Sequence, residues 1–283
     1  MKLSRRIVLS FTLVGIGIAL GVFIQHRWPL GRLRAELNRR PSPTTATLQS
    51  IASIPPERRL VLVVAGQSNA ANYGATRAMA GASVYAFSNG QLFEAVDPLP
   101  GGDGDGGSIW TRLGARLAMA GDYDAVIFAV VAQGSSTAQD WAPHGRHHFL
   151  LVDTLHQLAR ANLRPDFILW QQGETEAGQA AAPGRDYLLS LEAVQAGARA
   201  VFPDISLVVA QASYIRGAPR NEQVRLAQLA LPAGMVAGPD LDQLGSAYRG
   251  DGIHFNEAGL AQAAELWHAA LRTPLMNRRP PTP

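Results

Sequence analysis

Ser68 stands two residues past the apolar run Val61-Leu62-Val63-Val64-Ala65-Gly66, and Asp251 stands three residues before His254 in Asp251-Gly252-Ile253-His254. A serine hydroxyl becomes a nucleophile when an imidazole takes its proton, and the imidazole needs a carboxylate on its other nitrogen to fix the tautomer and stabilise the cation. The spacing of Asp251 and His254 lets a turn eased by Gly252 fold the carboxylate back onto the ring. Acyl transfer also needs N–H donors aimed where negative charge develops. The backbone amides of Ser68 and Gly134 and the side-chain amide of Gln172 are the candidates. Each part has a plainer reading. Serines often terminate strands, Asp-x-x-His can open a helix beside a solvated histidine, and Gln-Gly-Glu at 172–174 can be an ordinary turn. Their joint placement at strand ends favours the catalytic reading.

The elements that would carry these residues are legible in outline. Leu60–Ala65, Ala125–Val131, Asp166–Trp170 and Ile205–Ala210 are uniformly apolar, without period-2 alternation, as strands buried on both faces are. Ser83–Phe87 is a brief, edge-like strand, and Met235–Ala237 a short apolar piece. Between them, Ser108–Ala120, His148–Ala161, Arg185–Phe202, Asn221–Leu231 and Asn256–Leu271 read as helices, with Ser108 and Asn256 as N-caps. Asn72–Gly81 reads as a short helix or loop. Strands alternating with helices predict an α/β three-layer sandwich with a central parallel sheet over residues 60–273. Gly66–Asn69, Gln133–Ser136 and Gln171–Glu174 then fall along one sheet edge, where open α/β sheets bind ligands.

The 283 residues contain no cysteine, which excludes disulfides, thiolate catalysis and Cys-ligated zinc. Residues 1–59 carry ten Lys and Arg against two acids, whereas 60–273 carry thirteen Arg against twenty acids. The basic character belongs to the ends, and an acidic domain argues against nucleic acid as its partner. Lys2, Arg5 and Arg6 precede Ile7–Ile24, eighteen residues without charge. This reads as a hydrophobic helix within a signal-anchor or transmembrane segment, 1–27, with a faint twin-arginine character. A basic, Pro-rich linker, 28–59, follows, and 274–283 form a Pro-rich tail. The expectation is a membrane-anchored or exported protein with its domain outside the cytoplasm. Arg27, Arg32, Arg34, Arg39 and Arg40 work against that orientation. Asp103 and Asp105 in the Gly/Asp stretch 101–107 lack the closing Glu of a calcium loop and read as a mobile loop at the site rim. His144, His147 and His148 read as a wet loop, so no metal site is expected.

Gly66-Gln67-Ser68-Asn69, Trp170-Gln171-Gln172-Gly173-Glu174 and Asp251-Gly252-Ile253-His254-Phe255-Asn256 together resemble the sialate O-acetylesterase-like branch of the SGNH (GDSL) hydrolases. The resemblance spans roughly residues 60–271 with the motifs in the family's order. It implies a flavodoxin-like sandwich and ester hydrolysis through an acyl-enzyme without a cofactor. Ser68 matches the nucleophile, His254 the base and Asp251 its acid. Gly134 matches an oxyanion glycine, and Gln172 stands where the wider superfamily has Asn. Glu174 matches a carboxylate kept near the site, for substrate binding or for orienting His254, and Gln67 and Asn69 match the motif. Gln133 replaces a customary Gly, and Ala70 stands where Met is frequent.

The expected function is removal of small acyl groups, above all acetyl, from carbohydrate hydroxyls. Two alternatives stay open. One is a GDSL-type lipase or thioesterase on the same scaffold. The other is a non-hydrolytic glycan-binding protein or acyltransferase of the cell envelope.

Overall fold

The computed structural model describes residues 48–179, 184–215, 217 and 222–278. All of them belong to the unit Pro41–Pro283. The apolar segment expected to span a membrane lies outside the described residues, and among these no helix is long and apolar enough to cross one.

Seven strands form one sheet: β1 Arg59–Gly66, β2 Val84–Ser88, β3 Gln91–Glu94, β4 Ala125–Ala132, β5 Phe167–Gln171, β6 Leu207–Gln211 and β7 Val236–Asp240. Their order is β3-β2-β4-β1-β5-β6-β7, parallel throughout except for the antiparallel β2–β3 pair. β1 is central. The chain builds the sheet on one side of it through β4 and on the other from β5 onward, the reversal that opens a crevice at the strands' carboxyl ends.

The uniform apolar runs have the reason anticipated. Along β1, Leu60, Leu62 and Val64 enter one core while Val61, Val63 and Ala65 enter the other. The first core is closed by helices α2 (Ile109–Met119) and α7 (Glu257–Arg278), through Trp110, Leu113, Leu260 and Trp267. The second is closed by α3 (His148–Arg160), α5 (Gly184–Arg199) and α6 (Glu222–Leu229), through Leu155, Leu191 and Val224. A short helix, α1 (Leu48–Ala52), adds Ile51 to the second core, and another, α4 (Glu174–Ala177), follows β5 directly.

Three expectations need correction. Helix α1 and the first residue of β1 fall within the stretch 28–59 expected as a linker, and α7 continues through Pro274 to Arg278, into the stretch 274–283 expected as a tail. β2 is not an edge strand, because β3 pairs outside it through a hairpin at Asn89-Gly90, whose φ values of 51° and 73° fit a type I′ turn. Residues 72–81, expected as a short helix or loop, take the loop form. They run as irregular chain bridged to the Gly/Asp stretch at Gly74–Gly107 and to Val96 at Met79.

Candidate active site

The registers of β4, β1 and β5 bring their ends level, since Gly66 pairs with Ala132 on one side and with Gln171 on the other. Gly66 has φ +142°, and a Cβ there would lie 2.0 Å from the Gln171 carbonyl oxygen. Only glycine allows this close lateral turn off the strand. A short 3-10 turn, Ser68–Ala70, follows at once. Buried groups hold it from below. Trp267 Nε1 donates to Gln171 Oε1 at 3.0 Å, Gln171 Nε2 donates to the Asn69 carbonyl at 3.0 Å, and Trp110 Nε1 donates to the Ala70 carbonyl at 2.7 Å. Ser68 is thus fixed by side chains from β5, α2 and α7.

The Asp251–His254 loop is equally well tied. An isolated bridge joins Arg249 to Phe255, and the Gly250 amide donates to the His254 carbonyl at 2.9 Å. The buried Arg249 guanidinium lies 3.7 Å from the Phe255 ring centroid and donates to the Leu241, Leu244 and Ile253 carbonyls. Gly252 takes φ +98°, and the turn folds Asp251 back so that its Oδ2 lies 2.6 Å from His254 Nδ1. The other oxygen of Asp251 accepts from the Ile253 and His254 amides at 2.9 and 2.8 Å. Partial burial of Asp251 acts to raise its pKa. The two amides and the imidazole outweigh that and hold it down at about 2.

The serine turn and the histidine loop meet. Asn69 Nδ2 donates to the Ile253 carbonyl at 3.2 Å and to Glu174 Oε1 at 2.8 Å. One hydrogen bond therefore joins the residue after Ser68 to the residue before His254. Tyr73 stacks on the His254 ring with centroids 5.0 Å apart and planes inclined by 25°. The Ala75 amide also donates to the Phe255 carbonyl at 3.0 Å.

The other expected residues surround this junction with different contacts. Gln67 Oε1 accepts from the Thr175 amide at 3.1 Å and the Gly173 amide at 3.4 Å, so it caps the start of α4. Gln172, expected as a free donor, has its Nε2 engaged by the Ser136 carbonyl at 3.0 Å, by Gln67 Oε1 at 3.3 Å and by Glu176 Oε2. It lies fully buried beneath the turn. The Gly134 amide is also occupied. It donates to both carboxylate oxygens of Asp103, at 3.0 and 2.9 Å. Glu174 is buried, and loss of solvation pushes its pKa up to about 7 against the lowering contribution of Asn69. Among the described residues, Glu174 Oε2 and Gln172 Oε1 are the buried side-chain oxygens without a hydrogen-bond partner.

Some contributors escape a reading of the sequence. Glu176 is buried, accepts from the Ala138 amide at 2.6 Å and meets Gln172, which its position four residues further on could have suggested. Tyr73 and Asn72 carried no motif. Asn72 clamps the Gly/Asp stretch through bonds with Leu99 and Gly102, and its amide donates to the Asp103 carbonyl at 2.9 Å. The stretch expected to be a mobile rim is therefore a tied loop. His144, His147 and His148 do not converge on a metal position; His148 Nδ1 instead lies 3.1 Å from the Trp141 carbonyl. Among the described residues no group of three potential ligands forms a metal site.

Comparison with known proteins agrees with this architecture. No curated protein is significantly similar to the chain. Among solved structures, a protein from Arabidopsis thaliana superposes with a TM-score of 0.62 at 17% identity, covering 79% of this chain and 99% of its own. NanS superposes with a TM-score of 0.55 at 15% identity, covering 80% and 100%. A GDSL-like protein from Parabacteroides merdae reaches 0.52 at 13% identity, covering 77% and 97%. Such distant likenesses show a shared fold. The family model described as carbohydrate esterase, sialic acid-specific acetylesterase matches residues 58–272, nearly the whole described region. The chain belongs to that family and is a carboxylic ester hydrolase.

Proposed function

We propose that the protein is a serine esterase that removes acetyl groups from carbohydrate hydroxyls, with Ser68 as nucleophile, His254 as general base and Asp251 as its orienting acid. The observation that carries this reading is the Asn69–Ile253 bond, which ties the serine turn to a loop where Asp251 already holds His254 Nδ1. With Nδ1–H directed at the carboxylate, Nε2 is left as the proton acceptor.

The Ser68 Oγ attacks the ester carbonyl carbon, and its proton passes to His254 Nε2. The tetrahedral oxyanion is met by the Ser68 and Gly134 amides, while Gln172 braces the turn from below. As the intermediate collapses, the C–O bond to the sugar breaks and the departing oxygen takes the proton from Nε2. Water then attacks the acyl-serine with His254 again as base, releasing the carboxylic acid and restoring Ser68. The reaction uses no cofactor.

The family description supports acetylated carbohydrate as the substrate class. The uncharged run 7–24 behind a basic flank supports attachment to a membrane, with the domain on the extracytoplasmic side. Fractionation of cells that produce the full chain tests the attachment; recovery entirely in the soluble fraction would refute it.

The first test is hydrolysis of p-nitrophenyl acetate. Ser68→Ala is expected to lose at least about 10³-fold in kcat/KM while keeping its thermal transition. An unchanged rate removes Ser68 from the mechanism. A series of acyl chain lengths tests the substrate, since a long-chain optimum would favour the lipase reading over deacetylation.

A further inference from the structure

The Gly134 amide, one of the two donors assigned to the oxyanion, is already paired with a carboxylate of the same chain. Both oxygens of Asp103 accept from it, at 3.0 and 2.9 Å. The Tyr73 hydroxyl donates to Asp103 Oδ2 at 3.1 Å, and the Tyr73 ring stacks on His254. The arrangement is closely fitted. A Cβ at position 134 would lie 2.8 Å from the Tyr73 hydroxyl and 3.3 Å from Asp103 Oδ2.

The backbone around this carboxylate is fixed. The Asp103 amide donates to the Ala132 carbonyl at 3.1 Å, and the Asp103 carbonyl accepts from Asn72 at 2.9 Å. Asn72 Nδ2 holds the Leu99 and Gly102 carbonyls, both at 3.0 Å. Release of Gly134 by the carboxylate therefore calls for rotation about its own side-chain bonds and not for opening of the loop. Until then, the donor faces a negative charge.

A neutral ester carbonyl can approach such a position and gains the donor when Asp103 turns aside. A ligand that is itself a carboxylate meets like charge at close range and must compete with an internal partner that needs no encounter from solution. We propose that Asp103 is a specificity-determining residue that occupies the Gly134 amide and screens the site against small carboxylate anions, the deacetylation product among them. The inference rests on the esterase reading for its meaning in catalysis. The occupancy of Gly134 is testable without turnover.

The experiment is a titration of ¹⁵N-labelled protein with sodium acetate at constant ionic strength, following the Gly134 amide resonance. Asp103→Ala is expected to show a saturable shift at Gly134 with an acetate dissociation constant at least tenfold below that of the wild type. Asp103→Asn keeps an acceptor but loses the charge, and is expected to fall between the two. Product inhibition by acetate should strengthen in the same order. Equal response of Gly134 in wild type and Asp103→Ala, or no response in either, overturns the proposal. If Asp103→Ala does not fold, Asp103→Asn decides: tighter acetate binding than wild type supports the screen, and unchanged binding refutes it. Failure of the esterase reading would appear separately, as hydrolysis that survives Ser68→Ala.

Discussion

At the scale of single residues, the proposed mechanism gives Asp251 and Glu174 different tasks that their chemistry alone would not separate. Asp251 touches the imidazole, and two backbone amides keep its carboxylate ionised down to about pH 2. Glu174 touches Asn69, which in turn donates to the carbonyl of Ile253, the residue before His254. Asp251→Asn is therefore expected to lower kcat/KM by about 10²–10⁴-fold, because an amide stabilises neither the correct tautomer nor the imidazolium. Glu174→Gln keeps an oxygen acceptor for Asn69 and is expected to stay within about tenfold of wild type on the same ester. Steady-state kinetics on both variants checks the ranking, and the reverse order would move the orienting role to Glu174.

At the scale of elements, the site depends on where β1 stops. Gly66 turns off the sheet where any side chain would strike the Gln171 carbonyl. Gly66→Ala is expected to destabilise the fold by about 3 kcal/mol or more, through left-handed strain and displacement of β5, and to lower activity with it. Urea denaturation measures the first, and a loss below about 1 kcal/mol would show that the strand ends can shift freely. This element was readable in the sequence because a strand covered on both faces leaves no polar position, so Val61–Ala65 ends visibly at Gly66. The hairpin β2–β3 is hidden in the sequence, although Asn89-Gly90 is a strong turn signal, because β3 is four residues long and half polar. Asp251 and His254 were legible as a pair because both lie on one short loop. Asp103 and Tyr73 were not, because they meet Gly134 and His254 only through tertiary contacts between distant segments.

At the scale of the whole molecule, the buried Glu174 links stability to pH. Its folded pKa is raised from 4.5 to about 7, chiefly by desolvation, so the unfolded chain releases this proton first as pH rises. Its contribution to stability is present below about pH 4.5 and is lost as pH rises to about 7, a decline of roughly 3 kcal/mol at 1.4 kcal/mol per unit. Glu174→Gln should lack this decline, so the gap between the two urea midpoints should change in its favour across that window. Parallel curves for wild type and variant would contradict the burial assigned to this carboxylate.

The catalytic assignment as a whole requires one hydroxyl in the chain to be activated by one imidazole. Covalent labelling with a fluorophosphonate, followed by peptide mass analysis, measures this most directly. A single adduct on Ser68 is expected in the folded protein, with labelling slowed at least about 10²-fold in His254→Ala. An adduct on another residue, or labelling of Ser68 at an undiminished rate in His254→Ala, would contradict the assignment.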